Sequence, residues 1–270
     1  VITKIDSRST DRDNDVPASP GITSVRIGLV VVATVDAARP AAVDVARRLN
    51  LPLAEFDAPT IALRLLQSDS QLSLHDPSSG AHLCVEFGAT QIRRFRSRRD
   101  PLRRAIGPGA DNVVDATAGL GRDTVHLVAA GYRVTAIERS PIVSALACDG
   151  LARARAQGLL DTENPRWLVG DACSLLTQFD ARPATIYLDP MFPPKRKKSA
   201  AVRKEMSLLR KLGIDEDGAS DLLAVACQRA TYRVVVKRPI DAPPLADGVI
   251  TAYTGKLVRF DVYRPTGTAL

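Results

Sequence analysis

The chain has 270 residues, of which 45% are hydrophobic, 25% charged and only 4% aromatic, so any core must be built mainly from aliphatic side chains. No run of about 18 apolar residues occurs and residues 1–20 lack an apolar signal core, which predicts a cytoplasmic protein without a membrane span. Cys84, Cys148, Cys173 and Cys227 lie far apart and only three histidines accompany them, so reduced thiols and no metal site are expected.

The net charge of +7 is concentrated in two places. Residues 91–104 (QIRRFRSRRDPLRR) hold seven arginines against one aspartate, and residues 195–211 (KRKKSAAVRKEMSLLRK) hold eight basic residues against one glutamate. Charge runs often end as solvated faces. Two of them on an otherwise acidic chain favour a polyanionic partner, with Arg93, Arg94, Arg96, Arg98, Arg99, Lys195, Arg196, Lys197 and Lys198 as candidate phosphate ligands. Lys237 and Arg238, further along, join that set as RNA-binding candidates.

Taken in chain order, residues 1–24 are rich in Ser, Asp, Arg and Pro and predict a flexible tail. Residues 25–35 are apolar and β-branched, a buried strand, and residues 40–49 place apolar side chains at helical spacing behind Pro40. Strand-like runs near 62–66, 71–74 and 82–86 follow, separated by turn chemistry, so residues 25–88 predict a small α/β subdomain. Residues 89–110 then read as an arginine-rich linker to a main domain over 111–270.

From residue 111 strands alternate with helices: strands at 112–115, 133–138, 166–169, 185–188 and 233–236, helices at 122–130 and 141–157, a short helical turn after 169 and helices up to about 230. That alternation predicts a mostly parallel sheet covered on both faces. The runs at 249–253 and 257–263 flank Thr-Gly-Lys and predict a closing antiparallel hairpin, for seven strands in all.

Three motifs fall at the carboxyl ends of these strands, where open α/β sheets bind their ligands. The first, residues 113–123 (VVDATAGLGRD), runs from a strand ending in Asp115 through Gly119 and Gly121 into a helix opened by Arg122 and Asp123. It lacks the third glycine of a dinucleotide fingerprint, which argues against a dehydrogenase. In the second, Glu138 ends the next strand 23 residues after Asp115, where an acid can accept both hydroxyls of a ribose; Arg139 follows it. Asp171 and Ser174 could line the base end of the same ligand or form a helix cap. The third, residues 187–194 (YLDPMFPP), offers two acceptors, the Asp189 carboxylate and the Pro190 carbonyl, beside the flat ring of Phe192. An exocyclic amine is a poor nucleophile because its lone pair is delocalised; acceptors for its hydrogens localise that pair, and an aromatic face stacks on the extruded base.

Asp-Pro-Met-Phe resembles the motif of methyltransferases that modify exocyclic amines, and a parallel sheet closed by an antiparallel hairpin is the class I methyltransferase (Rossmann-like) architecture. The whole series resembles the bacterial RsmJ-type 16S ribosomal RNA (guanine-N2)-methyltransferases: residues 113–123, 138–143 (ERSPIV), 149–153 (DGLAR), 187–193, 204–206 (KEM), 234–239 (VVVKRP), 242–246 (APPLA) and 259–263 (RFDVY) match in order. The resemblance implies S-adenosylmethionine as methyl donor and 16S rRNA or the small ribosomal subunit as partner, with a guanine 2-amino group near the 3′ end of the rRNA as target. It also implies cofactor contacts at Arg122, Asp123, Glu138, Arg139, Cys173, Ser174 and Asp189. Cys173 stands where a serine is expected, the arginines at 93–99 replace a glycine-rich segment, and upstream of about residue 85 the resemblance is weak. An adenine-N6 methyltransferase would use the same acceptor logic, and a non-catalytic RNA-binding assembly protein would use the same basic runs.

Overall fold

The computed structural model describes residues 28–56, 63–94, 97–161, 163–190, 200–212 and 218–267. The tail predicted over 1–24, Arg96, Phe192, Lys195, Arg196, Lys197 and Lys198 lie outside the described residues.

Two sheets form. The first has five strands in the order β2-β1-β3-β4-β5: β1 (Leu29–Ala33), β2 (Leu53–Ala54), β3 (Leu63–Gln67), β4 (Leu72–Asp76) and β5 (Ala81–Cys84). β1 pairs in parallel with β2 and β3, and β3, β4 and β5 continue antiparallel. Helix α1 (Arg39–Leu49) buries Ala42, Val45 and Ala46 and ends at Asn50 in the left-handed conformation. The second sheet has seven strands: β6 (Asn112–Asp115), β7 (Arg133–Glu138), β8 (Arg166–Val169), β9 (Thr185–Leu188), β10 (Arg233–Pro239), β11 (Val249–Thr254) and β12 (Val258–Tyr263), in the order β11-β12-β10-β9-β6-β7-β8. Strands β8, β7, β6, β9 and β10 are parallel, and β12 runs antiparallel to both β10 and β11. The central strands are buried on both faces, as parallel strands under two helical layers must be; every residue of β9 is buried.

The connecting helices are α4 (Arg122–Ala129), α5 (Pro141–Ala156), α6 (Ala172–Gln178), α7 (Ala200–Lys211) and α8 (Ala219–Arg229). Their starts follow from local chemistry. Ser140 caps α5 and Pro141 opens it; the Asp171 carboxylate caps α6 by accepting from the Ser174 N–H at 2.8 Å.

The arginine-rich stretch is not an open linker. It holds α2 (Ala89–Arg94) and α3 (Pro101–Ile106), the latter capped by Asp100 and opened by Pro101. Leu102, Ala105 and Ile106 of α3 pack into the core under the large sheet with Val113, Tyr187 and Phe260. The two sheets are also packed together: Leu65, Leu74 and Leu83 of the first share one apolar cluster with Leu120, Val125, Leu146, Leu151 and Leu208. At this seam Gly150 lies so close to residue 85 that a Cβ would stand 2.8 Å from the Val85 carbonyl oxygen. Arg153, one turn on, donates to that carbonyl and to Asp149. Lys211, at the end of α7, is ion-paired with buried Asp76, whose carboxyl is held well below its usual range by Lys211 and by the hydroxyls of Ser78 and Ser79.

Candidate active site

The carboxyl ends of β6, β7, β8 and β9 open into a cavity of about 360 Å³, large enough for a nucleoside-sized ligand. Its walls are mainly apolar (Ala116, Ile137, Val143 and Ala172, with Leu209 from α7 and Leu222 from α8). Among the described residues, four carboxylates, Glu138, Asp171, Asp189 and Asp221, line it against one cation, Arg139. An acid-lined apolar cavity suits a ligand with a flat apolar part and positive charge.

Glu138 is buried at the end of β7 and anchors two turns at once. One oxygen accepts from the Gly119 N–H at 2.8 Å and the other from the Ser140 N–H at 2.7 Å. Burial nevertheless lifts its carboxyl above the usual range, against the pull of those two donors. Each carboxylate oxygen keeps a further lone pair, so the group can hold the turns and still accept from a diol.

Asp189 follows β9. Its N–H donates to Thr117 Oγ1 at 2.6 Å, tying the loop after β9 to the loop after β6. Its carboxylate accepts from Lys237 Nζ at 2.8 Å, and the same ammonium donates to Asp123 at 2.7 Å. Tyr187 completes the group by donating its hydroxyl to Asp123 at 2.6 Å. One cation therefore serves two carboxylates. Burial pushes Asp189 up to about 6, with the neighbouring Asp123 charge adding to the rise and Lys237 opposing it. At Asp123 burial also opposes ionisation, but Lys237 and the Tyr187 hydroxyl outweigh it and the carboxyl falls below its usual value. Burial works against the charge on Lys237 too, yet its two partners hold the ammonium firmly protonated.

Of the residues expected at a cofactor, Gly119, Glu138, Arg139, Asp171, Cys173 and Asp189 line this cavity, and so does Pro190. The others stand behind or beside it. Asp115 is fully buried, accepting from Thr124 Oγ1 at 2.5 Å and from the Thr117 N–H at 3.2 Å, and burial raises it to about 7. Asp123 is one step removed, through Lys237. Ser174 is occupied with Asp171 in the α6 cap. Arg122 reaches Glu205 of α7 at 2.8 Å. Gly121 is absent from the cavity wall: its φ is +79°, and a Cβ there would meet Phe87 at 3.4 Å and Trp167 at 3.5 Å.

Two of the expected RNA contacts are corrected. Lys237 is turned inward rather than offered to phosphate at the surface: its charge and two of its three donors are engaged by Asp123 and Asp189. Arg238, on the other face of β10, is buried and donates to the Pro243 carbonyl at 2.9 Å, so no phosphate can reach it. Arg93, Arg98 and Arg99 are exposed, and Arg94 ends α2.

Sequence reasoning passed over Thr117, Tyr187, the inward role of Lys237 and the α7 and α8 walls. Lys237 carried a signal, since it too sits at the carboxyl end of a parallel strand. Among the described residues, no group of three His, Cys, Asp or Glu is placed to hold a metal ion and no helix is long and apolar enough to cross a membrane.

The chain matches the family described as "Putative SAM-dependent methyltransferase" over residues 44–265. The ribosomal RNA small subunit methyltransferase J of Citrobacter koseri is 44% identical over 78% of this chain and 86% of its own length. That of Nitrosococcus oceani is 43% identical over 83% of this chain and 93% of its own. The crystal structure of a SAM-dependent methyltransferase from Neisseria gonorrhoeae superposes with a TM-score of 0.67 at 29% identity, covering 89% of this chain and 97% of that one. The fold is the class I methyltransferase fold, and by the family match and these identities the chain belongs to the ribosomal RNA small subunit methyltransferase J family of SAM-dependent methyltransferases.

Proposed function

We propose that this chain transfers a methyl group from S-adenosylmethionine to the 2-amino group of a guanine near the 3′ end of 16S rRNA, acting in the cytoplasm on the rRNA or the small ribosomal subunit. The observation that carries the reading is the Asp189 carboxylate at the cavity wall, held from behind by Lys237 and from the side by Thr117. The guanine, its N2 and its place in the rRNA are what the family resemblance implies.

The residues present fit the cofactor. Glu138 is placed to accept from a ribose diol, the apolar walls suit an adenine, and the excess of carboxylates suits a sulfonium and an ammonium. S-adenosylmethionine, when bound, supplies an electrophilic methyl group. The protein's own share is positioning and acceptor electrostatics. Ionised Asp189 accepts hydrogen from the target amine, the Pro190 carbonyl provides a second acceptor, and Phe192 stacks on the base. Lys237 fixes the Asp189 carboxylate by binding Oδ2 and keeps its pKa from rising further. Cys173 takes no part as a nucleophile: burial raises its thiol above the ordinary value, and the neighbouring Asp171 and Asp221 add to the rise.

Mass mapping of 16S rRNA from cells lacking the protein is the direct test. One guanine should lose one methyl group, regained with the parent chain and not with Asp189→Asn. A methyl missing from an adenine N6 would transfer the reading to that base. Unchanged modification would leave the chain without this activity.

A further inference from the structure

The opposite edge of the seven-stranded sheet has a second concave surface. It lies between α3, the loop at residues 107–111 and the turn entering β7. Four arginines line it (Arg98, Arg103, Arg104 and Arg133) against a single acid, Asp111. The opening has about 760 Å³ and is a broad groove rather than a closed hole. Arg133 begins β7 and Glu138 ends it, so the groove and the cofactor cavity are separated by the length of a strand, roughly 16 Å at ~3.3 Å per residue.

Three arginines of this groove differ from those of the chain that are held in ion pairs. Arg39, Arg48, Arg122, Arg153 and Arg259 each pair with a carboxylate. Arg98, Arg104 and Arg133 are exposed and, among the described residues, have no carboxylate partner. Arg104 is held in place by its guanidinium lying 4.9 Å over the Tyr253 ring, which organises the group without consuming its hydrogen-bond donors. The exposed guanidiniums of Arg98, Arg104 and Arg133 around a shallow open groove match the spaced phosphates of a nucleic-acid strand better than one small anion, which would call for an enclosed site.

We infer that this groove is a second RNA-binding site, in which Arg98, Arg104 and Arg133 take backbone phosphates of the substrate RNA on the face away from the methyl-transfer cavity. The inference rests on the rRNA-substrate reading and adds to it a contact that positions the RNA without touching the reacting base. Such a contact gives uniform binding: it lowers KM and leaves the chemical step alone.

The test uses the whole chain, intact 16S rRNA, and two double variants, R104E/R133E and the neutral R104Q/R133Q. Both positions are exposed, and matching thermal melts confirm folding. Filter binding across a salt series should show the slope of log K against log salt reduced by roughly 1.5 in the neutral variant, as expected for two lost phosphate contacts. KM for 16S rRNA should rise about tenfold or more in both variants, more in the charge reversal, with kcat at saturating RNA and cofactor affinity within about twofold of the parent. An unchanged salt slope and KM would make the groove a solvated face and overturn the inference. So would a loss confined to kcat or cofactor affinity, which would mean the substitutions had disturbed the cavity. If the parent chain transfers no methyl but still shows the arginine-dependent salt slope, the groove stands and the methyltransferase reading falls.

Discussion

The two edges of the seven-stranded sheet handle charge in opposite ways. At the carboxyl edge four acids are buried or half-buried and each has fixed partners: Glu138 two backbone N–H groups, Asp189 and Asp123 one shared lysine, Asp115 the Thr117 N–H and the Thr124 hydroxyl. Burial there lifts Asp115, Glu138 and Asp189 above their ordinary values. At the amino edge the charges are basic and exposed, and Arg104 and Arg133 keep ordinary solvation. The parallel topology favours this division. Helices α4, α5 and α6 begin at the carboxyl edge, where the positive end of the helix dipole welcomes acids, while α3 and α4 end toward the groove, where its negative end welcomes cations. Few, dehydrated, geometrically fixed groups suit bond-making; several hydrated, screened ones suit holding a long polyanion.

The comparison breaks first, and hardest, at Asp189. Asp189→Asn keeps the size, removes the charge and can turn an amide donor toward the amine. Single-turnover methylation at saturating RNA and cofactor should fall by about 10²–10³, with RNA affinity unchanged. A normal rate with both ligands bound would remove Asp189 from the chemistry. Lys237 comes next, through pH. Asp189 must be ionised to accept hydrogen, so the rate should climb as pH rises through about 6. Lys237 lowers the Asp189 pKa, so Lys237→Met should move that limb to higher pH, costing about twofold at pH 7 for the first unit moved, approaching tenfold for each further unit, and recovering in alkali. The charge of Asp123 raises it, so Asp123→Asn should move the limb the other way. A pH profile unmoved by either substitution would separate the lysine from the carboxylate's function.

Why the carboxyl edge was so much easier to read follows from particular residues. The bounds of β6, β7, β8 and β9 coincide with those expected from the chain, because each is a short, largely apolar run bounded by polar or turn residues. Glu138 and Asp189 end such runs and were legible for that reason. Lys237 was not, since its direction depends on register: Val236 of β10 aligns with Leu188 of β9, which brings Lys237 level with Asp189 and turns Arg238 to the other face. Asp100-Pro101 is a helix start, but the surrounding arginines hid α3 within an apparent linker. β2 has only two residues, too few for any period. The packing at Gly121 was not legible because Phe87, which crowds the place a Cβ would take there, belongs to a chain segment 34 residues earlier and no local pattern joins them.

The smaller effects sharpen the contrast between the edges. Glu138→Gln retains one acceptor and loses the charge, so cofactor affinity by calorimetry should weaken about tenfold or more, since one hydrogen bond to a charged group contributes about 1.5–3 kcal/mol. Unchanged affinity would leave Glu138 as an anchor of the Gly119 and Ser140 turns only. Salt gives the last and smallest effect. A Debye length falls from about 10 Å at 0.1 M to about 3 Å at 1 M, which screens exposed charges and leaves buried pairs nearly untouched. The Lys237 ammonium lies within 2.8 Å of both carboxylates, inside even the shorter length. Raising salt should therefore increase KM for RNA steeply while kcat at saturating RNA moves less than about twofold. If kcat fell in parallel with RNA affinity, the carboxyl edge would be a solvated, screened site like the groove, and the difference between the two edges would disappear.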